Sequence, residues 1–209
     1  MPSDVKVIEH PLIGALLTQI RSRDTGCDTF RRNLHTISRL MAFEITRALP
    51  SRDIEVTTPL TTTRGIALQR PVVMIPILRA GTGMLNGIMD IIPDAKVGHV
   101  GMARDEITCQ PATYYCKLPD GINDSDILLI DPMLATGRSA AAAAALIKDN
   151  GGVNIRFICL VACPEGIEHF CGQHPDIPVY TAAIDDGLDE NSYIVPGLGD
   201  AGDRYFDTE

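Results

Sequence analysis

The sequence predicts an α/β fold: an open, mostly parallel sheet flanked by helices, with a β-arm and a loop-rich C-terminal segment. Three observations lead there. Two amphipathic helix patterns open the chain, apolar strand-like runs alternate with helix patterns from residue 70 onward, and a Thr-rich stretch with Pro and Gly separates the two regions.

The first helix is marked by Leu12, Leu16 and Ile20, four residues apart, and the second by the stripe Phe30, Leu34, Ile37, Met41 and Ile45. Ile54 and Val56 then precede TTPLTTTRGIAL, where Pro59 and Gly65 suggest a hairpin or loop arm. VVMIPI (72–77) is continuously apolar, as a strand covered on both faces should be. Gly81 and Gly83 punctuate its end, and a helix is read from Met84 to Ile92. KVGHVGM (96–102) reads as a further strand and YYCKLP (114–119) as its antiparallel return, with an exposed tip at 105–113. DILLIDP (126–132) and RFICLVACP (156–164) are buried strands, followed by helices at Ser139 to Lys148 and Glu165 to Gln173, and VYTAAI (179–184) is the last strand. The six alanines at 140–145 suit a smooth helix face lying close to a sheet. The tail YIVPGLGDAGDRYF, rich in Gly and Asp, reads as loop rather than core.

No composition shift or linker divides the chain. It is read as one domain over 1–209, with N-terminal helices at 11–49, the β-arm at about 53–69, the core at about 70–185 and the C-terminal segment at 186–209. The net charge of −9 argues against a nucleic-acid or anionic-membrane surface, although not against a small anion held at a local positive site. No apolar run approaches the roughly 20 residues that span a bilayer, and the N-terminus lacks a secretion signal, so a cytoplasmic location is expected. Six scattered cysteines form no CxxC. A metal cluster of Cys163, His169, Cys171 and His174 is disfavoured, because residues two apart on a helix face different ways.

DILLIDPMLATGRSA (126–140) is the segment richest in chemistry. An apolar strand ends in Asp131, a tight loop follows, and a helix begins near Ser139. Such turns present backbone N–H groups and a positive helix end at the sheet's carboxyl edge, where anions bind. Thr136 and Ser139 add hydroxyls, Gly137 permits close approach, and Asp131 can accept from sugar hydroxyls. A Walker A loop is excluded, since Pro132 and Arg138 stand where Gly and Lys are required. A dinucleotide fingerprint fails because residue 86 is Asn.

LLIDPMLATGRS closely resembles the phosphoribosyl-pyrophosphate (PRPP) loop of the uracil phosphoribosyltransferases, and the resemblance continues through PILRAGTGM (76–84), VGMARDE (100–106), PEGI (164–167), HPD (174–176) and YIVPGLGDAGDRYF (193–206). It implies a type I phosphoribosyltransferase-like fold and conversion of uracil and PRPP to UMP and diphosphate, a pyrimidine salvage step. The residues implied for PRPP are Asp131, Pro132, Met133, Leu134, Ala135, Thr136, Gly137, Arg138 and Ser139, with Arg79 and the Ala80-Gly81 backbone on pyrophosphate and Arg104 arriving from a flexible arm. Uracil is assigned to main-chain groups of Ile194, Gly199 and Ala201, and Asp200 faces the reacting sugar. Arg79, Arg104 and Asp200 are the implied catalytic set. Mg²⁺ is expected to arrive on the pyrophosphate. A homodimer or homotetramer is implied, and GTP is an effector of some members.

Several residues depart from the family text. Arg138 replaces a small residue, and it adds a cation to the 5′-phosphate site, projects outward without effect, or crowds the loop and weakens the enzyme. Ala103 replaces a Tyr in the arm, while Asn33 and Phe43 concern packing or a subunit contact. A non-catalytic PRPP sensor is disfavoured by the acidic charge and by the retention of Arg79, Arg104 and Asp200.

Overall fold

A computed structural model describes residues 5–104 and 111–208. Its strands are β1 (Val5–Val7), β2 (Ser51–Thr57), β3 (Thr62–Leu68), β4 (Val72–Leu78), β5 (Lys96–Val97), β6 (His99–Arg104), β7 (Pro111–Lys117), β8 (Asp126–Ile130), β9 (Met133–Leu134), β10 (Asn154–Ile158), β11 (Val161–Ala162), β12 (Val179–Thr181), β13 (Ala183–Ile184), β14 (Gly187–Leu188) and β15 (Ile194–Val195). The helices are α1 (Pro11–Arg21), α2 (Cys27–Ile45), α3 (Thr82–Met89), α4 (Arg138–Asp149), α5 (Pro164–Gln173) and α6 (Ala201–Phe206).

The central sheet runs β1-β12-β10-β8-β4-β6-β7, with β5 beside β6 on the edge of β4. Every pairing in it is parallel except β6 with β7, which run antiparallel. The mostly parallel α/β architecture read from the sequence is therefore the observed one. KVGHVGM is two strands rather than one: Lys96 and Val97 pair with Val73 and Met74, whereas Val100 and Gly101 pair with Ile77 and Leu78.

Side-chain alternation along the strands splits the core into two apolar layers. Met74, Leu128 and Ile158 face α1, α2 and α3, while Val73, Ile127 and Phe157 face α4 and α5. The alanine run behaves as expected, with Ala140, Ala141, Ala143 and Ala144 buried against the second layer. The α2 stripe from Phe30 to Ile45 is fully buried. On α1 the core face is instead Ile13, Leu17 and Ile20, and Leu12 is exposed. Both stripes share Ile20, so the spacing alone cannot choose between them, and packing against α2 does.

The tail also differs from its reading as loop. Ile194, Leu198 and Ala201 are buried, and α6 forms because the Asp200 carboxylate accepts a hydrogen bond from the Asp203 N–H at 2.8 Å, capping the turn. Asn33 is a packing residue, donating to the Gln19 side chain at 2.8 Å, and Phe43 is exposed beneath the Arg47 guanidinium.

Gly87 sets the spacing of the helices beneath the site. A Cβ there would overlap the His35 carbonyl oxygen and lie 2.8 Å from the Ser38 Cβ. Gly87→Ala should force α3 away from α2 and cost about 1–3 kcal/mol. Urea unfolding should show a lower midpoint, and an unchanged midpoint would count against this close-packing account.

Candidate active site

The chain leaves β4 toward β5 and β6 on one side, and leaves β8 toward β10 and β12 on the other. Adjacent parallel strands whose connections diverge leave a crevice at their carboxyl ends. Pro76 registers with Ile130, so Arg79 and Ala80 emerge beside Asp131. Gly81 makes this closeness tolerable, since a Cβ there would press on the Ile130 carbonyl oxygen and lie 2.7 Å from the Ile77 nitrogen.

The loop after β8 is built on absent side chains. Gly137 caps α4 at φ 74°, and a Cβ there would stand 2.6 Å from the Gly166 carbonyl oxygen. A Cβ on Gly166 would in turn overlap the carbonyl oxygens of Leu134 and Ala135. The loop thus lies flush on the first turn of α5, and the Cys163 thiol donates to the Ala135 carbonyl at 3.1 Å from below. Among the described residues, the N–H groups of Ala135, Thr136 and Gly137 have no backbone acceptor. The first-turn amides of α4 have no intrahelical acceptor either.

The opposite wall is the C-terminal segment, secured to α1 by long-range bonds. Arg21 grips the Asp185 carboxylate with two bonds of 2.7 and 2.6 Å and donates to the Gly197 carbonyl at 2.6 Å. Asp185 also accepts from the Gly197 N–H at 2.8 Å. Arg204 donates to the carbonyls of Ile20, Leu198 and Ser22 and lies over the Phe30 ring. Nearby, the Asp189 carboxylate accepts from the N–H groups of Asn191 and Tyr193, shaping a turn in which Ser192 has φ 67°.

Between these walls lies a cavity of about 270 Å³. Asp131, Met133, Leu134, Ala135, Thr136, Gly137 and Ser139 line one side, and Ile194, Gly199, Asp200 and Ala201 line the other. A uracil phosphoribosyltransferase family model matches residues 7–208. The chain belongs to the uracil phosphoribosyltransferase family. It is 52% identical over 208 residues to the uracil phosphoribosyltransferase of Alkaliphilus oremlandii, covering 99% of this chain and all of that one. It is 51% identical to that of Lactiplantibacillus plantarum, covering 98% of each. Among solved structures, the AQ2163 protein from Aquifex aeolicus superposes with a TM-score of 0.91 at 30% identity over 97% of both chains. Adenine phosphoribosyl transferase from Trypanosoma brucei, at 13% identity, shares the fold with a TM-score of 0.60 over 92% of this chain and 88% of its own.

Twelve of the residues singled out from the sequence line the cavity, Ala80 among them, whereas Arg79, Gly81, Pro132 and Arg138 do not. Pro132 is buried, Arg138 is exposed at the first turn of α4, and Arg79 turns toward α6, where its guanidinium meets Asp203 at 3.0 Å. The Arg138 side chain is exposed and makes no hydrogen bond or ion pair among the described residues. Arg104 ends β6, and the neighbouring arm tip at 105–110 lies outside the described residues. Sequence reasoning missed Ala140, Ser192, Tyr193 and Gly202 as lining residues, although the last three sit within or beside the recognised C-terminal text and Ala140 directly follows the phosphate loop. Two members of the disfavoured metal cluster lie apart: Cys163 caps α5 at one end, while the His174 ring lies at the other, 2.9 Å from the Ala141 carbonyl.

Burial pushes the Asp131 carboxyl up to about 7; the Met133 N–H, donating to it at 3.4 Å, opposes the rise, and the nearby Asp200 charge adds a smaller push upward. Burial likewise drives the Cys159 thiol up to about 12 and raises Cys163, so both thiols pack rather than react. A folded Asp131 keeps its proton to about pH 7, whereas an unfolded one releases it near its ordinary value of 3.8. The folded state therefore holds the extra proton between those values, and stability declines as pH rises through that window. Asp131→Asn should stabilise the ligand-free chain at pH 8 by about 1–2 kcal/mol, because solvent in the open cavity tempers the full penalty. Thermal melts should show little gain at pH 4, and an equal gain at both pH values would contradict the assignment.

Proposed function

We propose that this chain transfers the phosphoribosyl group of PRPP to uracil, releasing UMP and diphosphate. What supports this reading is one juxtaposition: an amide-rich phosphate loop and a main-chain-rich C-terminal loop face each other across a single cavity, with Asp131 and Asp200 both on its wall. Cleavage at the sugar C1 develops oxocarbenium-like charge on the ribose and negative charge on the departing pyrophosphate. Residues 134–139 hold the 5′-phosphate through amides and the Thr136 and Ser139 hydroxyls, at no cost in buried countercharge. Asp131 accepts from the ribose hydroxyls, whose donation favours its ionised form and offsets the burial that raises it. Arg79 and Arg104 grip the pyrophosphate through planar guanidinium donors.

Uracil presents an acceptor–donor–acceptor edge, which N–H and C=O groups of Ile194, Gly199 and Ala201 complement. Cytosine would leave buried partners unpaired, a penalty large enough to exclude it. Phosphoribosyltransferases generally use Mg²⁺ with PRPP, and the donor set fits that use. Asp131 and Asp200 offer hard carboxylate oxygens beside the cavity, and no larger His, Cys, Asp and Glu cluster occurs among the described residues. Asp131 and Asp200 would hold such an ion, which would neutralise charge on the departing pyrophosphate. Orienting the sugar falls to Asp131 and Asp200 themselves.

Incubation with PRPP, Mg²⁺ and single nucleobases should give UMP from uracil and nothing from cytosine. Absence of UMP would overturn the reading.

We further propose that the chain works as a homodimer or larger homo-oligomer built on the β2–β3 hairpin. All its strand residues are exposed except Ile54, Gly65 and Ala67. The pairing register puts those three on one face and Ile66 and Leu68 on the other. Isolated two-stranded hairpins are marginal in water, and a second copy would cover the exposed Ile66 and Leu68 side chains and meet the Asp53, Glu55 and Arg64 charges beside them. Sedimentation equilibrium should find Ile66→Asp shifted toward monomer relative to the parent, and identical association for both would exclude this face from the contact. No helix among the described residues is long and apolar enough to cross a membrane.

A further inference from the structure

We infer that Asp203 is a positioning residue for Arg79, an inference that rests on the phosphoribosyl-transfer reading above. The observation behind it is where the Arg79 guanidinium goes in the ligand-free chain. Its Nη2 donates to Asp203 Oδ1 at 3.0 Å, and its central carbon lies 5.8 Å from the Phe206 ring centroid. Both partners belong to α6, whose first turn packs on the loop that carries Arg79: a Cβ on Gly202 would lie 3.7 Å from the Ala80 Cβ.

Stability does not account for this ion pair. The side chains of Arg79 and Asp203 are 58% and 36% exposed, and pairs so wet contribute little to folding. Its geometry suits a different task. A guanidinium has five N–H donors, and Asp203 occupies one of them. The Nε and Nη1 groups keep their hydrogens for an anion, so the side chain is restrained without being used up. Arg79 is otherwise a long, mobile side chain, and restraining it beforehand removes part of the ordering cost from ligand binding.

Asp203 is itself held in place. Its N–H donates to Asp200 Oδ1 at 2.8 Å, and its Oδ1 accepts from the Thr208 hydroxyl at 2.8 Å. One short turn therefore links the carboxylate on the cavity wall to the cation at its rim. On the loop side, the Arg79 carbonyl accepts from the Thr82 hydroxyl at 2.6 Å, so both ends of the residue are fixed. A negative charge beside a pyrophosphate site would repel its ligand if it stood alone. Paired with Arg79, it becomes the anchor that keeps the cation at the rim.

The test is steady-state kinetics of the full chain with uracil and PRPP. Asp203→Ala should raise the KM for PRPP about 3–10-fold, with Asp203→Asn intermediate and the KM for uracil within about 2-fold of the parent. In an Arg79→Ala background, Asp203→Ala should add no further loss. Thermal melts identify any variant that unfolds, and the Asn variant, which preserves shape, then takes its place in the cycle. Equal loss for both substrates, or a full Asp203 effect in the absence of Arg79, would overturn the positioning role. A parent chain that makes no UMP overturns the functional reading instead. Calorimetric titration with PRPP then decides for Asp203, since equal Kd for parent and Asp203→Ala rejects it.

Discussion

The parallel pairing of β4 with β8 is the constraint on which the site depends. Both strands are covered by helices on two faces, so beyond Asp126, which enters β8 paired with Arg156 at 2.8 Å, their side chains are apolar and nothing polar is presented until the strands end. Chemistry is therefore displaced to the residues immediately after them, Arg79 through Gly81 and Asp131 through Ser139. Gly81, Gly137 and Gly166 follow from the same constraint. Each allows backbone to approach backbone more closely than any side chain permits, and together they let two loops and a helix end converge on one crevice.

How much was legible in the sequence follows from the range of the interactions involved. Strands β4 and β8, the buried alanine face of α4 and the phosphate loop announce themselves locally, through apolar runs and turn residues. The α1 register was not legible, because Leu12-Leu16 and Ile13-Leu17 are equally good helical stripes and α2 selects between them. Nor was the C-terminal segment, whose Gly and Asp content suggests solvent. It is ordered by Arg21 and Arg204, each of which bonds to residues more than a hundred positions away in the chain. Resemblance to a known family placed Ile194, Gly199, Asp200 and Ala201 together. Arg79 was placed at the right loop, but its turn toward Asp203 depends on a tertiary contact that no motif records.

The charge of the molecule now has a local explanation. A chain with net charge −9 is proposed to hold a highly phosphorylated sugar, and it does so without a basic surface. On that proposal, neutral amides at the start of α4 would meet the phosphate, Arg79 beside the cavity would add a cation, and the raised carboxyl of Asp131 would accept from the sugar hydroxyls. The acidic excess keeps polyanions away from the rest of the surface while leaving a single small anion site intact.

The clamp of Arg21 on Asp185 and Gly197 has a consequence for biosynthesis. Residues 192–202 form one wall of the cavity, yet they are held by a helix that is translated well before them. While the chain is still being synthesised, α1 and the β4–β8 edge can form, but no pocket closes until the last wall leaves the ribosome. Substrate therefore cannot assist early folding. A nascent chain stalled before Asp185 would display its phosphate loop to solvent with nothing opposite it, and the α1 guanidinium would have no carboxylate to grip.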